Sequence, residues 1–307
     1  MRLRIACSIF VLVLAVSASA QNRVFVSAQH GDDSFACSVT APCRSFAHAL
    51  TVVATNGEIL ALDSGGYGTV SISKNVSIVA PPGVEASITQ SVMNLNAIDI
   101  NAGANLVVLR GLSLFGNRAA NDGIAILAGN NNVVVQSCNF TGFAGSGIEY
   151  NVSAPSYLTV MNSTFTQNYM GIQTAASADN LANFAIDHVH MEISDYAGLY
   201  CHEGSRGLIR DSLASVAIYG IYSTVFYDGR TAKLDVENCS VTRASSGIGG
   251  ETSGTGVVTI RVSNSLIVNN TLGISHTDAN THIWTRSNNS LADNDTDGTF
   301  TNTYTGQ

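Results

Sequence analysis

The sequence predicts an all-β fold: a solenoid of stacked coils whose parallel strands follow one another along an axis. Three observations predict it. A Gly followed by a branched apolar residue recurs at Gly123-Ile124, Gly147-Ile148, Gly171-Ile172, Gly198-Leu199, Gly220-Ile221, Gly247-Ile248 and Gly273-Ile274, in steps of 24, 24, 27, 22, 27 and 26 residues. In phase with it runs a short alternating strand interrupted by a polar turn, at Val133 to Phe140, Leu158 to Phe165, Leu234 to Val241 and Ile260 to Ile267. The intervening segments are bounded by Gly, Asn and Ser and carry no helical spacing. Self-similarity at this period marks a repeat architecture. Each repeat holds two or three strands of about 4–6 residues. One coil cannot bury its apolar face alone, whereas coils stacked about 4.8 Å apart can.

This pattern resembles the right-handed parallel β-helix of secreted bacterial proteins of the pectin-lyase-like kind, over nearly the whole chain beyond residue 20. The resemblance implies a single-stranded β-helix opened by a short N-terminal capping helix.

Residues 1–20 read as a secretory signal peptide. Arg2 and Arg4 form its basic start, Ile5 to Val16 its apolar run, and Ala18-Ser19-Ala20 an A-x-A cleavage site. The run is short for a membrane span of about 20 residues. Cys7 lies inside it rather than after it, which argues against a lipoprotein site. A secreted protein, periplasmic or extracellular, is expected. Losing Arg2 and Arg4 leaves 12 Lys and Arg against 22 Asp and Glu, a net charge of −10. That argues against nucleic acid and anionic membrane as partners, since both need a basic surface. No composition break divides the chain, so one elongated domain follows.

Residues 21–57 read as an N-terminal cap. A strand at Arg23 to Ala28 leads into Gly31-Asp32-Asp33. A helix is expected around Phe46, Ala49, Leu50 and Val53, with Gly57 as its stop. This succession resembles the opening of many secreted bacterial β-helices. Its task is to cover the end of the core and block further strand addition. Cys37 and Cys43, six apart in an exported chain, are expected to form a loop-closing disulfide, with a metal pair as the poorer alternative. Cys138 and Cys239 fall in one repeat slot four coils apart, beyond disulfide reach, and with Cys201 read as buried thiols.

Residues 58–290 form the coils, beginning with strands at Glu58 to Leu62, Thr69 to Ile72 and Val76 to Ala80. Asn162, Asn238 and Asn264 share a turn slot, where Asn tolerates left-handed backbone. With Val160, Ser163 and Phe165 inward, one outward row reads Gln136, Met161, Asp187, Arg210, Glu237, Ser263. Its plain reading is a charge ladder on a solvated sheet face. A second outward set follows the Gly-Ile signal. It places Glu149, Gln173, Tyr200 and Tyr222 in one row, with His202 and Glu251 alongside. Aromatics beside acids suit a sugar ring, which needs an apolar face to stack on and acceptors for its hydroxyls. Tyr200, His202, Tyr222, Glu149 and Glu251 are therefore the candidate glycan-binding residues. A tyrosine pair that merely covers the sheet is the competing reading.

Phe184 to His190 resembles the W-I-D-H segment of pectate lyases at Ile186, Asp187 and His188, which makes Asp187, His188 and Arg210 the candidate catalytic set. Asn121-Asp122-Gly123 resembles the N-T-D-G of polygalacturonases, but that family's other motifs are missing. His188, His190 and His202 with Glu203 offer metal donors at no recognised spacing. Residues 291–307 form a C-terminal cap or tail. Within it, Asp293-Asn-Asp-Thr-Asp-Gly298 matches the first half of a Ca²⁺ loop through Asp293, Asp295 and Asp297, with Tyr304 where the bidentate Glu should be. Asp297-Gly-Thr-Phe300 also resembles an ordinary closing cap. No motif requires a cofactor; Ca²⁺ is the ion the tail suggests. Two functions follow: a non-catalytic glycan-binding or adhesive scaffold, or a divergent lyase or glycoside hydrolase acting on acidic polysaccharide.

Overall fold

The computed structural model describes residues 21–101 and 105–305. The expected signal peptide lies outside them. Among the described residues the strands pair in parallel and build a right-handed β-helix of about 8 turns. They form two sheets, of 12 and 17 strands. A typical coil contributes one strand to the smaller sheet, as in Ser156–Met161, and two to the larger, as in Thr164–Thr166 and Met170–Ala176; in two coils the latter run on as single strands, Leu213–Val225 and Ser240–Thr252. No helix among the described residues is long and apolar enough to cross a membrane.

The core is a set of axial rows. In the twelve-stranded sheet Ile59, Ile78, Leu109, Val135, Val160, Ile186, Ile209, Val236 and Val262 stand in successive register, and all are buried. In the larger sheet Ile98 does the same, followed by the residue after each repeating Gly, Ile124, Ile148, Ile172, Leu199, Ile221, Ile248 and Ile274. A third row carries the rings of Phe140 and Phe165, stacked with centroids 4.5 Å apart. β-branched residues serve here because they pack on a pleated surface.

The corner out of the smaller sheet explains the polar turn. Ser137, Asn162, His188, Asp211, Asn238 and Asn264 all sit there with φ between 50° and 54°. Asn162, Asn238 and Asn264 thus share the slot assigned to them. The next residue turns inward, and Ser163, Ser212 and Ser265 accept the backbone N–H of Cys138, Val189 and Cys239 from the preceding coil at 3.0–3.2 Å. Those N–H groups would otherwise be buried without partners. Cys138, Cys201 and Cys239 are free and buried.

The N-terminal cap is held by two carboxylates. Asp33 accepts from the backbone N–H of Arg44 and Ser45 and from the Ser45 hydroxyl, while Ser45 caps the helix by accepting from His48 N. Asp63 accepts from Ser27 Oγ, Ala28 N and Tyr67 Oη. Cys37 and Cys43 are joined as a disulfide. The helix runs Phe46–Val52 and buries Phe46, Ala49 and Leu50. Gly57 is not its stop: the strand Val53–Ala61 begins at once, and Gly57 lies within it. A Cβ there would come within 2.8 Å of the Asn22 carbonyl, so close strand approach is what needs glycine. At the other end Phe300 packs against the core, and Thr301 N donates to Ile283 O.

Candidate functional site

The outer face of the larger sheet carries the row Asp99, Ala125, Glu149, Gln173, Tyr200, Tyr222, Gly249, Ser275, each in register with the next. They point out because their neighbours on both sides, such as Ile148 and Tyr150 around Glu149, point in. Alternation along a strand makes that placement automatic. Side chains therefore follow one another at the coil spacing, about 4.8 Å.

One half of this row is acidic. Asp122, from the corner before Gly123, folds over it with only 3% of its surface exposed. Asp122 Oδ1 accepts from Ser146 N at 2.6 Å and Oδ2 from Asn121 Nδ2 at 2.6 Å. The Glu149 carboxylate, on the next coil, lies close enough for its charge to act on Asp122. Burial, then the nearby charges of Glu149 and Asp99, push the Asp122 carboxyl up to about 7. Asp99 in turn accepts from Asn96 Nδ2 at 2.8 Å. Gln90, Leu95, Asn96 and Asp99 line a depression of about 320 Å³ beside this group. Desolvation is the largest of these causes, so the neutral carboxyl is the form this environment favours. The resemblance around Asn121-Asp122-Gly123 thus marked a residue that the candidate set omitted.

The other half is aromatic. The Tyr200 and Tyr222 rings stack at 5.9 Å and 17°. They are not open platforms: their exposures are 6% and 5%. Tyr196 and Tyr219 lean on them, with Tyr196–Tyr200 centroids 5.4 Å and Tyr219–Tyr222 centroids 4.0 Å apart. Tyr169 stacks on Tyr196 at 5.2 Å and is 40% exposed. The reachable aromatic surface therefore belongs to Tyr169, Tyr196 and Tyr219. Their signal lay in the sequence, since each stands one or two residues before a repeating Gly.

His202 packs edge-on to Tyr200 at 4.7 Å, and its Nδ1 lies 3.1 Å from Thr224 Oγ1. Burial pushes the His202 imidazole down, towards the neutral form. Burial, with the nearby charge of Glu251, raises the Tyr222 phenol. Tyr200, His202, Tyr222 and Glu251 thus form one cluster. Glu149 lies two coils away with Asp122.

Asp187, His188 and Arg210 also come together, on the other sheet. Asp187 Oδ1 is 2.6 Å from His188 Nδ1, and Arg210 Nη2 donates to Asp187 Oδ2 at 2.8 Å. The Arg210 hydrogen bond holds the Asp187 carboxyl below its ordinary range. The register Gln136, Met161, Asp187, Arg210, Glu237, Ser263 is the charge ladder read from the sequence. His188 and Arg210 are well exposed.

Asp293, Asp295 and Asp297 do not converge. Among the described residues, the groups that bring three His, Cys, Asp or Glu ligand atoms within 4.8 Å are Cys37, Cys43, His48 and Asp187, His188, Asp211. Asp293 occupies a left-handed corner, φ 57°, and Asp297 accepts from Asn294 Nδ2, so the loop serves the turn. These residues do not fit a Ca²⁺ cage, which needs several oxygens aimed at one point.

No protein-family model matches this sequence, and no curated protein matches it either. Solved structures do. The chain superimposes on pectate lyase Pel9A with a TM-score of 0.72 at 16% identity, covering 94% of this chain and 79% of that one. The fold is the pectin-lyase-like parallel β-helix. This β-helix also resembles the GH136 lacto-N-biosidase from Eubacterium ramulus, with a TM-score of 0.55 at 10% identity over 92% of this chain and 66% of that one. Identities this low carry the architecture and leave the chemistry of the β-helix to its own side chains.

Proposed function

We propose that this is an exported glycan-binding β-helix whose ligand lies lengthwise on the outer face of the larger sheet, from Asp99 to Tyr222. The observation that carries the reading is the continuity of one register row. Acids and amides at one end, Asp99, Glu149 and Gln173, pass directly into the tyrosine cluster at the other. A saccharide chain offers hydroxyls to the first and ring faces to the second. The basic n-region, apolar run and A-x-A site within residues 1–20 support export.

A second reading, glycoside hydrolysis, is favoured by one specific observation: the buried Asp122 carboxyl beside Glu149. A carboxylic acid kept protonated near neutrality can protonate a leaving glycosidic oxygen, while a second carboxylate across the sugar ring activates water. In that reaction the C–O bond to the leaving sugar breaks, Asp122 gives its proton to the departing oxygen, and water, losing a proton to the base, adds to the sugar carbon.

A glycan array with calorimetry on the exported form tests the first reading. Tyr196→Ala with Tyr219→Ala should weaken binding at least about tenfold, as loss of stacked aromatic contacts does. A reducing-end assay on the ligands found separates the second: release of new ends that stops in Asp122→Asn while binding persists makes the protein a hydrolase. Absence of binding to any glycan defeats both.

A further inference from the structure

We propose that Asp187, His188 and Asp211 bind a divalent transition-metal ion of the Zn²⁺ type at the corner leading out of the twelve-stranded sheet. One ligand atom from each lies within 4.8 Å of the other two. The geometry comes from the coil register. Asp187 pairs with Arg210, so the residues that follow them, His188 and Asp211, occupy the same corner on successive coils, with φ 53° and 50°.

The corner itself does not call for these residues. In neighbouring coils it is made by Ser137, Asn162, Asn238 and Asn264. Among the described residues, this pair of coils is the one that places an imidazole over a carboxylate there. Both carboxylates are already anchored from outside. Asp187 Oδ2 accepts from Arg210 and Asp211 Oδ1 accepts from Asn238 Nδ2. Asp187 Oδ1 remains on His188 Nδ1 at 2.6 Å, and a ligand atom of Asp211 lies within 4.8 Å of a ligand atom of each. Ligands held by outer hydrogen bonds are the normal construction of a metal centre.

The charges agree with the geometry. Asp187, Asp211 and Glu237 cluster around the single guanidinium of Arg210, with Glu237 next to it in register. This leaves negative charge uncompensated at the corner. The donor chemistry selects the ion: mixed imidazole and carboxylate suit Zn²⁺, Ni²⁺ or Cu²⁺, whereas Ca²⁺ takes oxygen alone. A groove lined by His188, His190, Asp211, Asn238 and Asn264 opens the site to solvent, so water can complete the coordination and His190 stands at its rim. The Asp187 Oδ1 to His188 Nδ1 hydrogen bond is replaced on binding, and the neutral imidazole then carries its one proton on the nitrogen that does not bind the ion.

The test is calorimetric titration of the chelator-treated protein with ZnCl₂, and in parallel with CaCl₂. His188→Asn and Asp211→Asn place in the corner a residue that neighbouring coils already use, so both variants should fold. The wild type should take up one equivalent of Zn²⁺. Each variant should bind at least about tenfold more weakly, and Asn238→Ala about 10–100-fold more weakly through its loss of support to Asp211. His282→Ala, on a distant coil, should bind as the wild type does, and CaCl₂ should not displace Zn²⁺. No heat with Zn²⁺ would overturn the proposal. So would one equivalent that survives both corner variants, or displacement by CaCl₂.

Discussion

A Cβ added to Gly171 would come within 2.5 Å of the carbonyl oxygen of Gly198 on the next coil. The same relation joins Gly123 to Gly147, Gly198 to Gly220 and Gly247 to Gly273, at 2.5–2.7 Å. The repeating glycine is thus a contact between coils rather than a loop signal. Its backbone turns in under the neighbouring chain, and no side chain fits.

Gly171→Ala should therefore destabilise the protein by about 2–3 kcal/mol, the cost of overpacking against backbone that cannot yield. Gly229 provides the contrast, because nothing lies within 4 Å of a Cβ there and φ is +70°. Gly229→Ala should cost only the conformational penalty, about 1 kcal/mol. Urea unfolding of both variants measures the difference.

Two β-branched residues occupy left-handed corners. Ile193 and Val216 both have φ 55°, in corners where other coils use Gly142, Gln167, Asn269 or Asp293. Ile193 is 48% exposed, so little apolar burial is lost on replacing it. Ile193→Asn should raise stability by about 1 kcal/mol by relieving backbone strain. The shift of the thermal midpoint checks it.

The stacked Phe140 and Phe165 rings fill the core where two coils meet. Phe165→Ala should cost about 3–5 kcal/mol and leave an apolar cavity, measurable as a lower urea midpoint.

Asp122 gives the fold a pH dependence of unusual sign for a carboxylate. Its folded value, about 7, lies above the ordinary 3.8. Its contribution is fully present below about pH 4 and is lost as pH rises through 7. Asp122→Asn keeps an acceptor for Ser146 N and cannot ionise. It should stabilise the protein at pH 8 by about 2–4 kcal/mol relative to wild type, with the gain shrinking towards pH 4. A wild type whose Asp122 ionises at pH 4 in a carboxyl titration by NMR would contradict this.

Much of the fold was legible because a solenoid writes its tertiary neighbours into its period. The row from Gln136 to Ser263 and the shared turn slot of Asn162, Asn238 and Asn264 follow from counting residues per coil, and the Cys37–Cys43 bridge from the six-residue spacing of its cysteines in the cap. The strand directly after the capping helix was less legible. Gly57 resembles a helix stop, whereas the close approach of Asn22 is what demands it.

The sequence by itself determined the coil, its inward rows and the residues that share a slot, since strand alternation and a near-constant period are local properties of the chain. Only the tertiary structure decided which of those residues are covered. Tyr200 and Tyr222 stand in the predicted outward row, yet Tyr196 and Tyr219 close over them, and Asp122, at a corner, is buried near the charges of Glu149 and Asp99. The corners vary in length from coil to coil. Their side chains therefore reach across the faces by packing and desolvation, which no repeat pattern records.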